Sequence, residues 1–182
     1  MASNKSSTLK IGDLIEVTIE KVAHGGHFIA RHDGAVIFVR HAIPGERCTI
    51  EVTSTGSSFN RADVVEVHEK SEHRVDAPCR FAHRSGCGGC DFQHINPAYQ
   101  RVLKSDVIKE QFSRIAKMQV EVEVEEVSKS THWRTRAIAT TNRNGKLGFY
   151  KSRSHTVVQV DDCLICVEGI KLKDIAASHL KG

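Results

Sequence analysis

A small β-barrel followed by an α+β unit is the fold class that this 182-residue sequence predicts. Three observations carry that expectation. Five short β-patterned runs crowd into residues 9–69, a dense cysteine loop follows at residues 79–90, and one helical period then gives way to further strand patterns. The length suits one domain or two small ones.

Residues 1–8 are polar and are expected to be a disordered tail. Leu14 to Ile19 alternate around Glu16 and Thr18. Phe28 to His32 and Ala35 to Val39 flank Asp33-Gly34, a strong two-residue hairpin signal. Arg47 to Thr53 and Ala62 to His68 complete the set, with turn residues at Pro44-Gly45 and across residues 55–60. Five short strands over residues 9–69 imply a closed barrel of the OB type. Such barrels often bind oligonucleotides, although a fold alone assigns no function.

Residues 70–78 read as a polar linker, and residues 79–182 as a cysteine loop within an α+β domain. Asn96-Pro97 opens a helix, Asn as the cap and Pro at the first helical position. Tyr99, Leu103, Val107, Phe112 and Ile115 recur at helical spacing to about Lys117. Val120, Val122 and Val124 alternate with glutamates, as in a strand with one wet face. Arg136 to Thr141 and Leu147 to Tyr150 flank Asn144-Gly145, a second hairpin signal. Thr156 to Val160 reads as a further strand and residues 168–180 as a closing helix.

The longest apolar run is Ala35 to Val39, too short for a membrane span. No leader pattern opens the chain, so it reads as cytoplasmic and free of membrane partners. Its net charge of +4 is unevenly spread. Residues 79–160 hold 14 Lys/Arg against 7 Asp/Glu, and no acid occurs between Val127 and Val160. That acid-free stretch suits a polyanion, and nucleic acid is the partner it suggests. Trp133, Arg134, Arg136, Lys151 and Arg153 are its candidate RNA-binding residues, since aromatics beside arginines can stack on unpaired bases.

Six cysteines in a chain of this kind favour metal chemistry over disulfides. Cys79, Cys87 and Cys90 lie together, with Gly88-Gly89 letting the backbone wrap closely between the last two. With one distant thiolate they make a three-plus-one set, which serves an iron–sulfur cluster or a four-coordinate zinc. Arg80, His83 and Arg84 lie in the loop, and nearby cations help thiols ionise. A zinc site could instead pair Cys87 and Cys90 with Cys163 and Cys166. However, 72 residues separate those pairs, and Cys79 would be left over. Cys163 and Cys166 compete for the fourth place: Cys163 follows Asp161-Asp162 at a strand end, whereas Cys166 reads as a core thiol. Cys48 reads as a small apolar filler of a barrel strand. His24-Gly25-Gly26-His27 is a weak motif that fits an ordinary turn.

These segments resemble the RNA uracil-5 methyltransferase family, specifically the branch acting on 23S ribosomal RNA. Gly12-Asp13 through Gly26, Arg31 to Val39 and Ile43 to Glu46 look like a TRAM domain, an OB-like RNA-binding barrel. Cys87-Gly88-Gly89-Cys90-Asp91-Phe92-Gln93-His94 matches the family's cluster loop. Trp133-Arg134-Thr135-Arg136 resembles its central-domain motif, and Leu147 to Tyr150 with Val160 to Cys163 resembles the strands leading to the fourth ligand. The resemblance implies a 4Fe–4S cluster on Cys79, Cys87, Cys90 and Cys163, zinc being the alternative. It also implies 23S rRNA as partner.

The family's S-adenosylmethionine-binding catalytic domain has no counterpart here. The only prolines are Pro44, Pro78 and Pro97, so no Asp-Pro-Pro loop exists, and no glycine-rich strand–turn–helix follows Cys166. No residue inherits a catalytic role. The expectation is therefore the N-terminal RNA-recognition part of a 23S rRNA uracil-5 methyltransferase, whether fragment, split or truncated product. S-adenosylmethionine would then enter only through the missing domain, supplied by a separate chain if the gene is split. The alternative is a stand-alone RNA-binding module with a metal centre and no catalysis.

Overall fold

The computed structural model describes residues 9–179. The tail expected at residues 1–8 and the last residue of the closing helix expected at 168–180 lie outside the described residues. Two compact units form: one within Met1–Val75 and His94–Val124, the other within Asp76–Gln93 and Glu125–Gly182.

The first unit is built on the expected five-stranded barrel. Its strands are β1 (Leu14–Ala23), β2 (His27–His32), β3 (Ala35–Arg40), β4 (Arg47–Ser54) and β5 (Asn60–Glu69). They close in the order β1-β2-β3-β5-β4, with β3 and β5 parallel and β4 returning to β1. Alternation sorts the faces as the sequence implies. Val17, Ile19, Phe28, Ile37 and Ile50 are buried while their sequence neighbours face outward. Asp33 and Gly34 both take positive φ (48° and 81°), the requirement of the two-residue turn whose twist matches the strands. Cys48 is fully buried in β4, as expected of an apolar filler. His24-Gly25-Gly26-His27 forms the β1–β2 turn, with both glycines at positive φ.

Helix α1 (Pro97–Gln111) starts where Asn96 and Pro97 place it, the Asn96 Oδ1 accepting from the Ala98 amide at 2.9 Å. The sequence reading put this helix in the second domain. It belongs instead to the first unit, with Leu103 buried, Tyr99 stacked on His73 at 3.7 Å between ring centroids, and Lys21 of β1 paired with Glu110 at 2.6 Å. After Gln111 the turns widen to a π-helical stretch over Phe112–Ala116, which Lys117 ends in the left-handed region. Phe112 and Ile115 are exposed, so the apolar stripe ends at Val107.

Val120 to Val124 is extended rather than a strand. Val120, Val122 and Val124 are half-buried and the intervening glutamates exposed, so the alternation sorts faces correctly. Among the described residues no neighbouring strand completes a ladder. The Val124 amide goes instead to the Ser105 hydroxyl (3.1 Å), and Lys109 meets Glu121 at 3.0 Å.

The expected linker at residues 70–78 is ordered over its first half. Glu46 is completely buried, and its carboxylate accepts from both Nε and Nη2 of Arg74 at 2.6 and 2.7 Å. The Ile43 and Ser71 amides supply two further bonds. Arg74 then bridges to Ile95, the Val75 amide donates to the His94 carbonyl (3.0 Å) and the Asn96 amide to that of His73 (2.8 Å).

The second unit holds a three-stranded sheet in the order β6 (Thr140–Thr141), β7 (Leu147–Tyr150), β8 (Val157–Gln159), followed by α2 (Leu172–His179). β6 is two residues long rather than the expected run from Arg136. The turn is also wider than two residues: Asn142 Oδ1 accepts from the Asn144 and Lys146 amides, both at 2.9 Å. Helix α2 starts four residues later than expected, because the Ile170 amide closes a turn on Val167 and the Lys173 amide is held by the Asp161 carbonyl. Among the described residues no helix is long and apolar enough to cross a membrane.

A buried carboxylate robbed of its guanidinium, or the reverse, is destabilising by roughly 3–5 kcal/mol. Arg74→Ala is therefore expected to lower the urea-unfolding free energy by about that much, whereas Lys21→Ala, at an exposed pair, costs far less. Equal losses for the two variants would refute a special role for the buried pair.

Candidate metal centre and nucleic-acid interface

Four segments of the second unit converge on one cavity of about 450 Å³, its open mouth included. Cys79, Cys87 and Cys90 reach it from the loop and Cys163 from the segment after β8, and Phe149, Val160, Leu164 and Ile165 give it an apolar wall. The four sequence-predicted ligands are thus brought together, and all four are half-buried. Among the described residues no three His, Cys, Asp or Glu side chains stand close enough to hold a single metal ion. All four thiols line the cavity wall.

Local geometry explains the loop. The Cys79 carbonyl accepts from the Ala82 amide (2.9 Å) and that of His83 from the Gly86 amide (2.9 Å), giving two tight turns before Cys87. Gly88 donates its amide to the Tyr150 carbonyl at 2.9 Å, which ties the loop to the end of β7. A Cβ on Gly88 would stand 2.5 Å from the Ser152 amide nitrogen, so only glycine allows this approach. Gln93 Oε1 accepts from the Cys79 amide (3.2 Å), and its side chain also bonds the Cys90 thiol. The Gln-His pair divides its work between the units. Within the first, His94 Nε2 meets the Ala42 carbonyl at 3.0 Å. The role of Gln93 is not legible from spacing, since it depends on the loop folding back over 14 residues.

Burial pushes the Cys87 and Cys90 thiols up, and the neighbouring ligand thiols push them further. The Gly89 amide opposes this at Cys87, and Gln93 opposes it at Cys90. Cys166 is buried, as a core thiol should be, and is pushed up to about 11 by desolvation and then by a hydrogen bond with Cys163. Cys48 is pushed up to about 12, chiefly by desolvation and then by Glu46.

The RNA-binding candidates fall into two groups. Trp133 and Arg134 lie on an extended strip whose amides donate to the Ile165 carbonyl, at 3.1 and 2.8 Å, and Arg134 bridges to Cys166. Trp133 is 46% exposed, with the Arg134 guanidinium 5.1 Å from its ring centroid. Arg134 also lines the cysteine cavity, and residues 133–136, Arg136 included, line a shallow open depression. Lys151 and Arg153 occupy the turn after β7, closed by the Lys151 amide on the Thr156 carbonyl (2.9 Å). That turn adjoins Gly88. Phe149 of β7 helps wall the cavity.

The raised thiols set a pH dependence. In the unfolded chain a thiol ionises near pH 8.5, whereas the buried ones keep their protons to higher pH. Above about pH 8.5 the unfolded state therefore binds fewer protons, and stability falls as pH rises. For the metal-free chain the urea midpoint is expected to be lower at pH 9.5 than at pH 7.5, and Cys48→Ala should shrink the difference. Equal midpoints at the two pH values would contradict this.

A family model described as the TRAM domain matches residues 9–65, the barrel. An uncharacterized RNA methyltransferase of Streptomyces coelicolor is 41% identical over 175 residues, covering 88% of this chain and 38% of the relative. One of Bdellovibrio bacteriovorus is 37% identical over 161 residues, covering 87% and 40%. The chain therefore spans about two fifths of the length of these relatives. Among solved structures, the tRNA (uracil-54, C5)-methyltransferase of Pyrococcus abyssi in complex with S-adenosyl-L-homocysteine shares the fold with a TM-score of 0.55. That match covers 84% of this chain and 33% of the other at 19% identity.

Proposed function

We propose, on the premise that this chain belongs to the RNA methyltransferase family, that it supplies the RNA-recognition part of an enzyme methylating a uracil at carbon-5 in 23S ribosomal RNA. In this reading S-adenosylmethionine is the methyl donor, and the chain spans about two fifths of the length of the relatives it matches. A cytoplasmic location goes with that substrate.

One observation carries the reading: four thiols from distant segments meet on one apolar-walled cavity that Arg134 also lines. That donor set fits a 4Fe–4S cluster, held by Cys79, Cys87, Cys90 and Cys163. A cluster presents a separate iron to each thiolate, and tetrahedral zinc on the same thiolates is the alternative. When bound, the group supplies a rigid crosslink and negative charge. The residues around it do the recognition. Trp133 offers a stacking surface, and Arg134, Arg136, Lys151 and Arg153 offer charge to phosphates. Extruding a target base costs a few kcal/mol, and binding energy gathered here and on the barrel offsets that cost.

The test is salt-dependent binding of an rRNA fragment. Removing two phosphate contacts lowers the slope of log K against log salt by about 1.4 for single-stranded RNA. The double variant Arg134→Ala/Arg136→Ala is expected to bind more weakly with a slope reduced by about that amount. Unchanged affinity and slope would rule out this face as the RNA-binding surface.

A further inference from the structure

Cys166 does not line the cavity, yet it stands beside one of the four thiols that do. It lies three residues after Cys163, is buried, and its thiol hydrogen-bonds with that of Cys163. The Cys166 amide donates to the Cys163 carbonyl at 2.9 Å, closing a tight turn over Leu164 and Ile165. The ends of such a turn lie within about 7 Å, and a disulfide spans roughly 4.4–6.8 Å between Cα atoms. The turn is also clamped by the strip beside it. The His132 amide donates to the Leu164 carbonyl, and the Trp133 and Arg134 amides donate to that of Ile165. The Val167 amide returns a bond to the Arg134 carbonyl (3.0 Å), and His132 Nδ1 meets the Cys166 carbonyl at 3.2 Å. The two sulfurs are therefore kept together by backbone that is bonded between and beyond them.

Cys87 and Cys90 have the same spacing but not the same surroundings. There each sulfur has another partner: the Gly89 amide donates to the Cys87 sulfur at 3.3 Å, and Gln93 bonds Cys90. Cys163 is half-buried on the cavity wall, so a small molecule entering the mouth meets it, and Cys166 lies buried next to it. An accessible thiol with a second thiol three residues on is the arrangement that thiol–disulfide exchange uses.

We propose that Cys163 and Cys166 form a reversible disulfide, made by exchange with a low-molecular-weight disulfide, that withdraws Cys163 from the metal-ligand set. The Cys163 thiolate attacks one sulfur of the incoming disulfide. A mixed disulfide forms, and one small thiolate leaves and takes up the proton that Cys163 gave up. The Cys166 thiol then loses its proton and attacks the Cys163 sulfur, forming the internal bond and releasing the second small thiol. Two thiols of the chain are oxidised, and one small disulfide is reduced to two thiols. Three ligands remain, too few for either four-thiolate centre. The inference rests on the reading of Cys163 as a ligand and adds a modification that decides whether the centre assembles.

In the test, the full chain, reduced and stripped of metal, is treated with glutathione disulfide, alkylated and digested with trypsin. Cleavage after Arg153 and Lys171 leaves both cysteines in one peptide, residues 154–171. That peptide is expected to lose two hydrogens and take up no alkylating agent, and the six thiols of the chain to fall to four. Cys166→Ala should stop at the mixed disulfide, with glutathione on Cys163, and Cys163→Ala should leave Cys166 unmodified. Zinc uptake, which needs no reductant, is expected to weaken roughly tenfold or more in the oxidised parent and to return with dithiothreitol. Two free thiols in the peptide of residues 154–171, or a disulfide between Cys87 and Cys90 in its place, would overturn the proposal and leave the metal centre standing. Unchanged zinc uptake by chain carrying the internal disulfide would overturn the withdrawal of Cys163. If the reduced chain takes up neither zinc nor iron, the metal-centre reading falls, and the proposal with it.

Discussion

A fully buried glutamate sets the course of the chain. Glu46 lies between β3 and β4, and no water can solvate its carboxylate there. Four hydrogen bonds replace the solvent, two from the Arg74 guanidinium and one each from the Ile43 and Ser71 amides. Such an arrangement tolerates no missing member, because a lone charge left inside is far more costly than the pair is favourable. The segment after β5 must therefore come back to the barrel. Once Arg74 is fixed, its neighbours pair with residues 94–96, so the chain leaves the first unit at Val75 and re-enters it at His94. The cysteine loop is a closed excursion whose ends are already joined.

That closure limits what the loop must achieve by itself. Its two tight turns and the Gly88 contact bring three thiols to one wall, and the segment after β8 brings the fourth. Packing the thiols into an apolar cavity raises two of them, so forming their thiolates costs more there, and binding of a metal centre must offset that cost. The strip carrying Trp133 and Arg134 hydrogen-bonds to Ile165, two residues beyond Cys163. Whatever holds Cys163 in place therefore also positions the strip.

Local physics was legible in the sequence. Asp33-Gly34 demanded positive φ twice and made a hairpin. Asn96-Pro97 capped a helix, and alternation found the barrel strands and their buried faces. Interactions between distant residues were not legible. Glu46 and Arg74 are 28 positions apart and look like ordinary surface charges, so residues 70–78 read as a linker. Val120 to Val124 has a strand's alternation but no partner, and periodicity reports faces rather than ladders.

The cysteine set was legible as a group because its spacing is chemical. What it binds decides between a cluster-braced RNA-recognition unit and a zinc-stabilised one. Chain purified without oxygen should be assayed for iron, acid-labile sulfide and zinc. About four irons and four sulfides per chain, abolished by Cys79→Ala, are expected. One zinc with no iron, undisturbed by Cys79→Ala, would contradict the account.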